Sequence, residues 1–234
     1  MITLYKYRPF DDYLKPILMA GKIWFPTRAK FNDPQDLELD LVNDLDTTAY
    51  RKFLLRKACQ ESWSGDELQY NLAKGFTPNG DLSPEATQKI GASCAVLQKY
   101  FDGLGILSLS DKENDSLLWE RYGDQGKGVC IVFNMQPSQY LIKVQYHPAR
   151  PQLRLTELLL GVDAEEQIRK VLCIKTAKWA DESEWRYFVK NGDTEFFCPG
   201  KIEGIRLGKK MPDKNRQTIV DWAAESKSPI RIDD

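Results

Sequence analysis

The sequence predicts an α+β fold: a mixed, mainly antiparallel sheet with a helical insertion around residues 46–102, in a single domain spanning residues 1–234. Three observations predict it. Short alternating or apolar runs read as strands near both ends of the chain. A block of 3.6-residue periodicity separates them. The resulting order of strand, helix, strand, helical block, strands, helix, strands is that of α+β proteins and not of βαβ repeats.

Residues 2–8, ITLYKYR, alternate and read as a strand that Pro9 ends, because proline donates no ladder hydrogen bond and pushes its predecessor out of the helical region. Asp11 or Asp12 can cap a helix running to about Ala20, with Gly21 as its C′ residue, and KIWF follows as a short strand. The NDP triplet at 32–34 is a turn signal. Helical spacing covers 48–62 and 84–102, and the polar, Gly-rich stretch between them reads as a loop holding at most one short helix. Strands then return at 104–110, at 128–133 and at 140–146, the last expected beside the apolar strand at 128–133, with a short helix over Asp115–Tyr122. Thr156–Ala177 reads mostly as helix. Strands follow at 183–189, in EFFCP and in IEGIRLG, then a helix over Asp213–Ala224 and a featureless tail.

Composition narrows the function classes. Hydrophobic residues make up 42% and charged residues 29%, so a core can form and disorder is not expected. The 33 Lys and Arg nearly cancel the 34 Asp and Glu, so no global field draws the chain to nucleic acid or to an anionic membrane. No apolar run approaches the roughly 18 residues of a membrane helix, and MITLYKYRPF lacks the order of a signal peptide. A cytoplasmic protein without a membrane partner is the expectation. Five widely spaced cysteines suit reduced, mostly buried thiols and give no zinc-ligand pattern. His147 is the single histidine; it precedes a proline and reads as a strand-end or turn residue.

Several residue groups have the chemistry of a site. Glu182, Glu184 and Arg186 are spaced two apart and would share one strand face, with the arginine separating two carboxylates that would otherwise repel. Lys6 and Arg8 share a face opposite Tyr5 and Tyr7 and suit a phosphate or pyrophosphate. Ser108 and Ser110 also share a face, and Trp119 and Tyr122 offer aromatic rings to a base or nicotinamide. Gly123, Gly126 and Gly128 fit no phosphate-loop pattern and read as a turn. Asn32, Asp33 and Asp36 form an acidic loop that can hold a divalent metal, although NDP is first a turn.

The segments LYKYR, IWF…FNDPQD, SLS…LLWERYGDQGKGVCIVF and KTAKWADESEWR together resemble a bacterial family known only as a domain of unknown function. The opening strand, the helix and the Gly–Lys–Ile–Trp segment are also similar to the start of ADP-ribosyltransferase folds, including toxins that modify DNA. That second resemblance implies three strand positions around NAD: Lys6 or Arg8 first, Ser108 or Ser110 second, and Glu184 last, with Glu182 completing an ExE pair. It implies NAD as substrate and transfer of ADP-ribose to a macromolecular acceptor, nucleic acid or protein. Lys6 departs from the histidine that many such enzymes carry. Two alternatives stand beside it: a metal-dependent nuclease using Asp33, Asp36, Glu182 and Glu184, and a binding or sensor protein without turnover.

Overall fold

The computed structural model describes residues 1–33, 36–37, 40–149, 152–161, 164–226 and 229–233. The first third of the chain forms β1 (Ile2–Arg8), α1 (Leu14–Ala20), β2 (Lys22–Phe25), β3 (Asp40–Val42), α2 (Thr47–Gln60), α3 (Gly65–Gly75) and α4 (Pro84–Asp102). Next come β4 (Gly105–Ser110), α5 (Ser116–Arg121), β5 (Val129–Met135), β6 (Leu141–Lys143), β7 (Gln145–His147) and β8 (Gln152–Arg154). The remainder comprises α6 (Leu155–Leu160), α7 (Ala164–Leu172), β9 (Ile174–Thr176), β10 (Glu184–Val189), β11 (Thr194–Phe197), β12 (Lys201–Leu207), α8 (Asp213–Ala224) and β13 (Arg231–Asp233).

These elements fall into two units, one made of 1–36, 103–148 and 175–234, the other of 37–102 and 149–174. The first unit is built on a seven-stranded sheet in the order β13-β12-β5-β1-β4-β10-β6. Its pairs are antiparallel except β12 with β13. β5 is the apolar strand that the sequence marks out: Val129, Ile131, Phe133 and Met135 are fully buried on one face, where each contributes about 1.5–3 kcal/mol. Leu4, Leu107 and Leu109 join them, and Leu14, Ile17 and Leu18 of α1 and Ile219 of α8 belong to the same core. On the opposite face Tyr5, Tyr7, Cys130 and Val132 pack with Leu118 of α5. Gly21 ends α1 in a left-handed conformation (φ 63°), as its C′ assignment predicts. At Gly128, a Cβ would lie 2.2 Å from the Arg8 carbonyl oxygen, so only glycine lets the chain enter β5 beside β1.

The second unit is mainly helical. Asp46 caps α2 by accepting from Ala49 N–H at 2.7 Å. Ser64 and Glu67 form a reciprocal capping box that starts α3. Leu45, Tyr50, Leu54, Ala86, Ile90 and Leu155 form its core.

Three sequence expectations change. The 140–146 stretch does not neighbour β5; β6 sits at the sheet edge beside β10, because both sides of β5 are taken by β1 and β12. Residues 156–177 break into α6, α7, β9 and the start of a 3-10 helix, since α6 ends at an extended Gly161 and Ile174–Thr176 is β-branched at both ends. The polar stretch between the predicted helices holds one helix, α3, as expected. The tail supplies β13, which lies parallel to β12 with Ile205 opposite Ile232. Among the described residues no helix is long and apolar enough to cross a membrane.

Candidate functional site

The sheet opens beside β1. β1 pairs with β5 along all seven residues, yet its register with β4 consists of the single pair Tyr5↔Ser110. Beyond that pair the strands part, and Lys6 Nζ reaches across to donate to the Ser108 carbonyl at 2.9 Å. Strand alternation alone would keep Lys6 away from Tyr5 and Tyr7; the opening lets all three line one cavity of about 250 Å³. Ser108, Ser110, Tyr122, Lys175, Trp179, Glu182 and Glu184 also line it, with Asp33 and Asp36 from the 31–36 loop.

The register of β10 against β4 places Glu184 opposite Ser110 and Arg186 opposite Ser108. Residues opposite one another across two strands share a face, so β10 delivers its charges to the serine side of β4. Glu182 reaches the same place by another route. It ends a 3-10 helix (Ala177–Glu182), outside the strand, and Ser183 at φ 46° turns the chain between it and β10. The shared strand face expected for Glu182 and Glu184 is therefore replaced by a left-handed turn, and both carboxylates still converge.

They converge on Lys175. Its Nζ lies 2.7 Å from Glu182 Oε2, 3.0 Å from Glu184 Oε2 and 3.4 Å from Asp36 Oδ2. Arg186 completes the cluster: Nε meets Glu184 Oε1 at 2.9 Å, and Nη2 meets both Asp36 oxygens at 2.8 Å. Asp36, Lys175, Glu182, Glu184 and Arg186 are all buried. Three carboxylates thus meet two buried cations, and Arg121 adds a third positive charge with Nη1 3.7 Å from Glu182 Oε1, so the charges balance. Tyr122 Oη donates to Glu182 Oε1 at 2.5 Å, Ser110 Oγ to the Glu182 carbonyl at 2.6 Å, and the Glu184 N–H to Tyr146 Oη at 2.8 Å. Ser108 Oγ is buried without a hydrogen bond of ordinary geometry, although it lies near enough to Glu184 to favour the ionised carboxyl.

The charges set the protonation states. Burial alone would raise the Glu184 carboxyl, but Arg186 and Lys175 outweigh it and hold the group at about 2. Burial likewise opposes the Lys175 charge, and Glu184 and Asp36 overcome it, so Lys175 is raised above its ordinary range. Lys6 behaves oppositely. Burial and then Arg8 push its ammonium down to about 8, with Glu184 opposing. Strongly perturbed titratable groups gathered in one cleft make it the candidate functional site.

Not every anticipated residue arrives. Arg8 does not line the cavity; Asp11 takes its guanidinium at 2.5 Å. Arg186 is wholly buried beneath the site and bonded to carboxylates, so it orders the wall and is not itself presented to the cavity. Trp119 lies edge-on to Tyr7 at 5.2 Å and lines a separate groove with Arg206, Lys209 and Lys210. His147 is an exposed strand-end residue and takes no part. Gly123, Gly126 and Gly128 make the turn into β5. Two participants carried no signal of their own. Lys175 shares the KTAKW stretch with Lys178 and has no spacing that sets it apart. Trp179 lies under the cations of Arg121, Lys175 and Lys178 at 5.1–5.3 Å and bonds Asp33 through Nε1 at 3.0 Å. Among the described residues no three His, Cys, Asp or Glu side chains are grouped to hold a metal ion. Glu182, Glu184 and Asp36 instead surround the Lys175 ammonium.

Residues 118–187 match a family model described as a protein of unknown function, DUF2971. The match meets the expectation of a family of unknown function. It spans Tyr122, Lys175, Glu182, Glu184 and Arg186, and so takes in the charged wall; Lys6 and Ser108 precede it. No curated protein and no solved structure matches the chain.

Proposed function

We propose that the cavity binds NAD or a related nucleotide, and that the chain is an ADP-ribosyltransferase-like protein passing ADP-ribose to a macromolecular acceptor. One observation carries the reading: Lys6, Ser108 and Glu184 stand on the adjacent strands β1, β4 and β10 and line one cavity. That is the order basic, hydroxyl, acid that the resemblance implies. At about 250 Å³ the cavity suits one nucleoside half of a dinucleotide, with the rest outside.

The charge of the wall suits the chemistry. When the bond from the ribose anomeric carbon to nicotinamide breaks, its electron pair leaves with nicotinamide and positive charge builds on the carbon. A carboxylate already ionised at every physiological pH opposes that charge without reorganising, which is how preorganised electrostatics lower a barrier. Glu184 has that role here. Lys175 and Arg186 hold it in place and ionised. Trp179 and Tyr122 present ring surface to the nicotinamide. The Lys6 ammonium takes a pyrophosphate oxygen, and a nucleophile of the acceptor bonds to the anomeric carbon.

Label transfer from NAD labelled in its adenylate phosphate tests the reading. The purified protein and a Glu184→Gln variant, whose fold is checked by thermal melting, are incubated with cell lysate and with nucleic acid. Label in protein, DNA or RNA with the wild type but not the variant is the expected result, and it identifies the acceptor class. NAD left intact by both proteins would overturn it.

A further inference from the structure

Two lysines face the cavity from its buried wall, and they differ in kind. Lys175 is held by three carboxylates within 3.4 Å. Lys6 is half-buried, and its hydrogen bond among the described residues goes to an uncharged acceptor, the Ser108 carbonyl. An ammonium in such a place is poorly stabilised: burial removes water, a carbonyl replaces only part of it, and Arg8 on the same strand adds repulsion that, with burial, outweighs the attraction of Glu184. Lysines placed in this way, desolvated and next to a second cation, become amine nucleophiles. The Ser108 hydroxyl beside it has no hydrogen bond of ordinary geometry to give up before contacting a ligand oxygen.

We infer that Lys6 Nζ is an amine nucleophile that captures the aldehyde form of a ribosyl ligand as an imine. The inference rests on the proposed reading only for the identity of the sugar, because ADP-ribose released to water carries a masked aldehyde at the carbon that held nicotinamide. In the step, the nitrogen lone pair adds to the aldehyde carbon and the carbonyl π pair moves to oxygen. A proton passes from nitrogen to oxygen, giving a carbinolamine. Loss of water then leaves a C=N bond, so amine and aldehyde become imine and water. No oxidant or metal enters. Near neutral pH the group exists in both forms, as an ammonium able to hold a phosphate and as an amine able to add to carbon.

The full chain is incubated with ribose 5-phosphate and cyanoborohydride, which reduces the imine to a stable secondary amine, and the adducts are mapped by peptide mass spectrometry. Lys6 is expected to be modified on the order of tenfold faster than exposed lysines such as Lys15 and Lys52 at about pH 7.5. A Lys6→Arg variant loses that adduct and keeps the others. Modification of Lys6 no faster than of Lys15 would overturn the inference, and this comparison needs the wild type alone. NAD label transfer is scored separately. Capture at Lys6 without NAD turnover would uphold the amine and sink the transferase reading. Turnover without capture would do the reverse.

Discussion

Arg186 and Asp36 stand 150 residues apart in sequence, and the Arg186 Nη2 atom meets both carboxylate oxygens of Asp36 at 2.8 Å. Arg186 has no exposed surface. Removing Asp36 therefore leaves a guanidinium short of a partner where water does not reach it. Asp36→Ala should cost about 3–5 kcal/mol of folding stability, the usual penalty for breaking one side of a buried pair. Urea denaturation measures it. A loss below about 1 kcal/mol would mean that solvent fills the gap and that the pair is a surface feature.

Acid should unfold this protein through its charged cluster. The Glu184 carboxyl lies at about 2 in the folded chain against its ordinary 4.5. A depressed carboxyl contributes stability that is fully present above the unfolded value and is lost as pH falls through the folded one. The window is therefore about pH 4.5 down to 2, with on the order of 3 kcal/mol at stake. Lys175→Met removes a cation 3.0 Å from Glu184, so the folded-state carboxyl moves up towards 4.5 and the loss on acidification should be smaller and complete at higher pH in the variant. Urea midpoints between about pH 6 and 3 compare the two chains, and parallel curves would show that Lys175 does not govern the carboxyl.

The sequence made much of this arrangement legible, and the shortfalls share a cause. Alternation in ITLYKYR and SEWRYFV, the apolar run at 128–133 and the 213–224 helix are local patterns, and local patterns survive in the fold. Strand neighbours do not show in that way: β6 lies beside β10 and not beside β5 because β12, from far along the chain, takes the other edge of β5. At the site, Lys6, Ser108, Glu182 and Glu184 were visible as charged or hydroxyl groups at strand spacing, and Tyr122 as an aromatic ring at the end of a helix. Lys175 was not, since a lysine of this kind becomes informative only when three carboxylates close on it. Arg8 misled for the complementary reason, because Asp11, three residues on, binds it before any ligand can.

Two of the six tryptophans tell where a ligand sits. Trp179 lines the cavity and Trp119 lines a different groove. A nucleotide bound as proposed should change the tryptophan fluorescence, with Trp179→Phe abolishing most of the change and Trp119→Phe preserving it. The opposite pattern would move the binding site to the groove of Arg206, Lys209 and Lys210.

Lys6 separates a residue kept for chemistry from one kept for stability. Its folded-state value of about 8 lies below the ordinary 10.5, so the folded chain disfavours the ammonium that the unfolded chain holds freely. The sign is opposite to that of Glu184: Lys6 costs stability below about pH 8, and the cost shrinks as pH rises from 8 towards 10.5. Lys6→Met removes the charge, keeps most of the side-chain volume and gives up one hydrogen bond to the Ser108 carbonyl. The bond is worth about 1 kcal/mol and the buried charge costs more, so the variant should gain about 1–2 kcal/mol at neutral pH. That gain should shrink to well under half by about pH 10, as the folded-state amine is then neutral and the unfolded one begins to lose its proton. Thermal and urea denaturation at the two pH values provide the measurement. A variant less stable than the wild type at neutral pH would make Lys6 a structural residue. A gain in stability accompanied by loss of nucleotide binding would mark a charge held against the interest of the fold, for the ligand.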